Sequence, residues 1–80
     1  MDAKKAVDTV IQPSLNEILG RTIADLVLIK AHGVLRRMEG KPEQEVFREV
    51  VGEIGKHRAV LQALGQARVS QLQKDWLQKY

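Results

Sequence analysis

Cysteine is absent from this chain, so neither a disulfide framework nor a thiolate metal site can staple it. Aromatic residues are reduced to one Phe, one Trp and one Tyr, too few for the stacking platforms that bind single-stranded nucleic acid. No run of about 18 apolar residues occurs, which excludes a transmembrane helix. The most apolar stretch, Leu26-Val27-Leu28-Ile29, is short and sits between Asp25 and Lys30. The first eleven residues lack the apolar core of a signal peptide. The only serines are Ser14 and Ser70, there is no G-x-S-x-G turn, and no Gly-rich loop follows a strand. These absences argue for a chain that is not an enzyme, binds no cofactor and does not enter a membrane. A reducing, cytoplasmic setting is consistent with the lack of Cys.

What is present is helical pattern. Eighty residues suffice for one domain, 1–80, and a chain of this size buries only about 60–65% of its unfolded surface. Asp2 can cap a short first helix over 1–12, with Ala6, Val7, Val10 and Ile11 on one side. Pro13 ends or kinks it. Ser14-Leu15-Asn16-Glu17 then reads as a capping box, opening a helix over 14–39. Its middle, from Ile23 to Ile29, is apolar nearly all round apart from Asp25. Arg36 and Arg37 fall in its last turn and Gly40 follows as a C-terminal cap. Pro42 occupies a favoured starting position for the next helix. Because the connection is short, the two helices are expected to pack antiparallel.

From Pro42 onward the pattern offers no clear stop before residue 79. Lys56-His57-Arg58 contains no Ser, Thr, Asp or Asn to restart a helix, and Ser70 with Gln73 is a weaker capping box. An unbroken helix over 42–79 would span about 57 Å at 1.5 Å per residue. The expected fold is therefore all-α: an elongated antiparallel hairpin with a short N-terminal helix, assembling into a homo-oligomeric bundle. The core expected on this reading comprises Leu19, Ile23, Leu26, Ile29, Phe47, Val50, Ile54, Leu61 and Leu64.

The long helix carries two faces. Phe47, Val50, Val51, Ile54, Leu61, Leu64 and Leu72 form a large apolar one; Gly52, Gly55, Ala59 and Ala63 form a small one. Gly52, Gly55 and Gly65 would each cost about 1 kcal/mol against Ala in a helix interior, so a close helix crossing is their natural explanation. Leu26, Ile29, Gly52, Gly55, Ala59 and Ala63 are thus the expected oligomer interface. Leu72, Trp76 and Tyr80 line up at spacings of four, so Trp76 and Tyr80 could anchor a partner protein, or else receive the first helix.

The formal net charge is +3, unevenly placed. Over 41–55, Lys41 and Arg48 face four glutamates; over 56–80, five basic residues face Asp75 alone. An acidic start and a basic end match the dipole of one long helix. Arg36, Arg37 and Lys41 cluster at the hairpin tip and are the candidate contacts for a partner or for phosphates. In architecture, though by no motif, such a hairpin resembles plasmid copy-number RNA-binding hairpins and the oligomerisation hairpins of phage small terminases. Glu53 and His57 share a face with His32 on the facing helix, but the carboxylate set of a helical-bundle metal site is incomplete. An Asp25–His57 pairing across the hairpin is the better expectation. The function expected is that of a small oligomeric adaptor, assembly factor or regulator acting by protein–protein contact, with itself and another protein as partners; nucleic-acid binding through Arg36, Arg37, Lys41 and the basic residues of the long helix is the alternative.

Overall fold

The computed structural model of the chain describes residues 2–80, all of them helical or in short joints. In order they form α1 (Ala3–Ala6), a π-helical turn (Val7–Ile11), α2 (Gln12–Leu19), α3 (Arg21–Arg37), α4 (Glu43–Lys56), α5 (Arg58–Leu64) and α6 (Gln66–Lys79). The all-α class is as expected from the pattern. The elongated hairpin is not found: the principal extents are 33 × 23 × 19 Å and the Cα radius of gyration is 11.5 Å, the value of a compact chain of this length.

The first correction lies at Pro13. The chain does not stop there; α1, the π turn and α2 run on as one helical rod to Leu19. Proline lacks the N–H that would close the ladder, and its ring crowds the carbonyl four residues back. The π turn immediately before it takes up that mismatch, with the Gln12 N–H reaching the Val7 carbonyl five residues earlier. The Thr9 hydroxyl donates to the Lys5 carbonyl at 2.8 Å, a local side-chain bond that also favours bending. Ser14 consequently lies inside a helix and caps nothing. Asp2 does cap: its Oδ1 accepts the Lys5 N–H at 2.7 Å.

The second correction is the long helix over 42–79, which folds into three pieces. At Gly65 the backbone turns with φ 82° and ψ 159°. The same turn, φ 81° and ψ 158°, divides the expected 14–39 helix at Gly20. That region of the map is open essentially to glycine alone. Each glycine ends one helix and begins the next: Gly65 N–H donates to Leu61 O while its own carbonyl accepts from Val69, and Gly20 does the same with Asn16 and Ala24. The third joint, His57, has φ −65° and ψ 129°, and its ring Nδ1 accepts the Ala59 N–H at 3.2 Å. An imidazole thus does the work that Ser, Thr, Asp or Asn would do at the start of α5.

Folding back in this way lets each short helix bury one stripe. Ala3, Ala6, Val7, Ile11 and Leu15 come from the first rod, Ala24, Val27, Leu28, Ala31 and Val34 from α3, and Val46, Phe47, Val50, Val51 and Ile54 from α4. Val60, Val69 and Trp76 close the core from the C-terminal side, and α3 and α4 pack as neighbours across the turn at Gly40. Of the expected core, Phe47, Val50 and Ile54 are buried, and Leu19, Leu61 and Leu64 pack at its margin. Ile23, Leu26 and Ile29 are exposed instead.

Two outcomes follow from the joints. Gly65→Ala should destabilise the fold by about 1–3 kcal/mol, because alanine must either strain at this φ or straighten the joint; chemical denaturation measures the loss, and a gain in helicity with a larger hydrodynamic radius would mark straightening. His57→Ala should cost about 0.5–2 kcal/mol through loss of the cap, whereas His57→Asp should recover most of it.

Candidate functional site

Helix α3 shows its core to one side and an apolar stripe to the other. Alanines 24 and 31, with Val27, Leu28 and Val34, point inward. At 100° per residue, Leu26, Ile29 and Gly33 fall on the opposite side, with Ile23 at its border. Leu26 is 53% exposed, Ile29 67% and Ile23 38%. Gly33 is also exposed, and a Cβ built there would meet nothing within 4 Å, so the stripe has a notch between its aliphatic side chains and the end of the helix. Leu26 and Ile29, expected in an oligomer interface, therefore stand free on the surface.

The glycine–alanine face is put to another use. A side chain at Gly55 would run into the amide of Gln73 from α6, and that amide donates to the Val51 carbonyl at 3.0 Å. The close approach the glycines foretold is thus made within the chain, between α4 and α6. Gly52 and Ala59 are half-buried and Ala63 is exposed; with α4 and α5 broken apart at His57, these positions no longer share one straight helix face with Gly55.

Trp76 is 1% exposed and belongs to the core, which corrects its expected role as a partner contact. Tyr80 is half-buried and lies flat on Phe47, with ring centroids 4.6 Å apart and planes 10° from parallel. Burial raises the Tyr80 phenol above its ordinary value of 10.0, and the carboxylates of Glu43 and Asp2 push the same way. Leu77, 42% exposed, with Gln44 and Arg48 completes a small cleft at that end.

At the α3–α4 turn lies a larger open cleft of about 520 Å³. Arg36 and Lys41 line it as expected of the tip, joined by Lys4 and His32. Asp2, Glu39 and Glu43 line it too, so the positive charge is matched by carboxylates. Glu43 Oε2 accepts the Ala3 N–H at 2.7 Å, pinning the first helix across the cleft. Arg37 points elsewhere and pairs loosely with Glu49 at 3.7 Å, both side chains well exposed, a geometry that contributes little. Among the described residues no three His, Asp or Glu side chains converge on a metal-sized site, and no helix is long and apolar enough to cross a membrane.

The single Tyr makes one outcome easy to read. In the folded chain the phenol should ionise above pH 10, returning to the ordinary value in urea, as followed by phenolate absorbance. The folded state holds this proton more tightly than the unfolded chain, so the associated stability is complete below about pH 10 and is lost as pH rises through the shifted value.

No family model matches this chain, and neither a curated protein nor a solved structure is detectably similar to it, so a functional reading has to rest on these surfaces.

Proposed function

We propose that this chain is a small non-enzymatic interaction protein that self-associates through the outer face of α3 and serves as an adaptor, assembly factor or regulator by protein–protein contact. The observation that carries this reading is the exposure of Leu26 and Ile29 on the side of α3 turned away from the core. Single exposed apolar residues are ordinary; an aliphatic row along one helix, while smaller alanines and valines of the same helix are buried, is the pattern of a face awaiting a partner. The cleft at the α3–α4 turn is open and charge-balanced, and among the described residues no group of His, Asp or Glu converges to hold a metal.

Nucleic-acid binding at the tip has less support. Arg36, Arg37 and Lys41 are exposed, but Glu39 and Glu43 stand among them in the cleft and Glu49 faces Arg37. A phosphate-binding surface gains from uninterrupted positive charge, and the hairpin resemblance that favoured this reading does not extend to a compact globule.

Sedimentation equilibrium tests the proposal. The wild-type chain should associate reversibly, and Leu26→Lys or Ile29→Lys should shift it to monomer while leaving the melting temperature within a few degrees, since neither side chain is in the core. Unchanged association in both variants would remove α3 from the reading. Binding to mixed RNA or DNA that weakens steeply with salt would favour the nucleic-acid alternative instead.

A further inference from the structure

We infer that the occupant of the α3 face is a second copy of this chain lying antiparallel, with Leu26 of each copy seated over Gly33 of the partner subunit and Asp25 of each facing Arg36 of the partner subunit. This rests on the reading that the α3 face mediates self-association, and adds to it the direction and register.

The stripe contains its own complement, displaced along the helix. Leu26 projects from it, and the notch at Gly33, where a Cβ would meet nothing within 4 Å, lies seven residues on, about 10 Å further at 1.5 Å per residue. Within one chain the knob cannot reach the notch. A copy turned antiparallel about a two-fold axis near Ile29 and Lys30 brings each knob to the other's notch, matching positions whose numbers sum to about 59.

The charges follow the same register. Asp25 and Arg36 lie within about 20° of each other on one border of the stripe, eleven residues and roughly 16 Å apart. Among the described residues neither side chain has an ion-pair partner in its own chain. In antiparallel helix pairs, like borders face each other, so each Asp25 comes within one turn of Arg36 of the partner subunit, twice by symmetry. A parallel copy would instead set knob against knob and notch against notch, and would turn the Asp25 and Arg36 border toward the opposite, Lys30 border of its partner, leaving Asp25 and Arg36 apart. Shape thus selects the antiparallel arrangement, and its register is the one that brings Asp25 to Arg36.

One residue opposes it. Lys30 falls on the other border beside the axis and meets its own equivalent; its long stem can carry the ammonium outward to water. A contact confined to one helix face is at the small end of stable interfaces, so a dissociation constant on the order of micromolar is expected.

Charge reversal tests the register. Asp25→Arg and Arg36→Asp should each weaken dimerisation about threefold to tenfold, as should be seen in sedimentation equilibrium from about 10 μM to 1 mM chain. Combining both in one chain should restore the wild-type constant, and an equimolar mixture of the two single variants should form a heterodimer of about wild-type strength, because both cross-interface pairs between them are again of opposite sign. Because the two positions are some 16 Å apart in one chain, restoration can arise only across the interface. Lys30→Ala should tighten the dimer. A double variant no better than the singles overturns the antiparallel register while leaving the α3 face in place if Leu26→Lys still dissociates the dimer. A wild-type chain that stays monomeric at about 1 mM overturns both the register and the self-association beneath it.

Discussion

At Gly20 and Gly65 the backbone adopts almost the same conformation, φ near +80° and ψ near 160°, and the shape of the molecule depends on these two joints. Each is a single residue between two helices, and its own N–H and carbonyl are both paired, one with the helix before and one with the helix after. Any residue with a Cβ would resist this conformation. With glycine there, helices that would otherwise extend past the core can double back and bury a stripe each. The π turn before Pro13 is the converse device: it keeps a helix going where a proline would break it.

The core that results is made of small and medium side chains around two aromatics, Phe47 and Trp76, both almost fully enclosed. Alanines and valines on α1, α3 and α4 let helices approach closely, and Gly55 lets Gln73 of α6 reach the Val51 carbonyl. Once these contacts are made within the chain, the larger aliphatics Leu26 and Ile29 are left outside. Their exposure is a consequence of the packing solution. A chain of 80 residues has too little interior for every apolar face of a helix as hydrophobic as α3, and the surplus appears as a surface.

The proposed function therefore rests on leftovers: an aliphatic row with a notch, and a cleft whose charges cancel. The row has direction, since its knob, its notch, its acid and its base occur in a fixed order along one helix. The cleft has none, because Lys4, Arg36 and Lys41 are set against Asp2, Glu39 and Glu43. This asymmetry is the physical ground for favouring contact between copies over capture of an anion.

The helical class, the Asp2 cap, the short turn at Gly40 and the buried stripe of Phe47, Val50 and Ile54 were all determined by local chemistry: spacing of apolar residues, capping oxygens and the freedom of glycine. The excess of apolar residues around Leu26 was also plain from the chain alone. Which way α3 turns, and hence that Leu26 and Ile29 lie outside while Ala24 and Ala31 lie inside, was decided only by tertiary packing, because a helix apolar nearly all round has no periodicity to choose its inward face. The breaks at His57 and Gly65 belong with it. Each is locally unfavourable against a continued helix and is repaid only when α6 brings Val69 and Trp76 onto the core, a gain that no window of sequence contains.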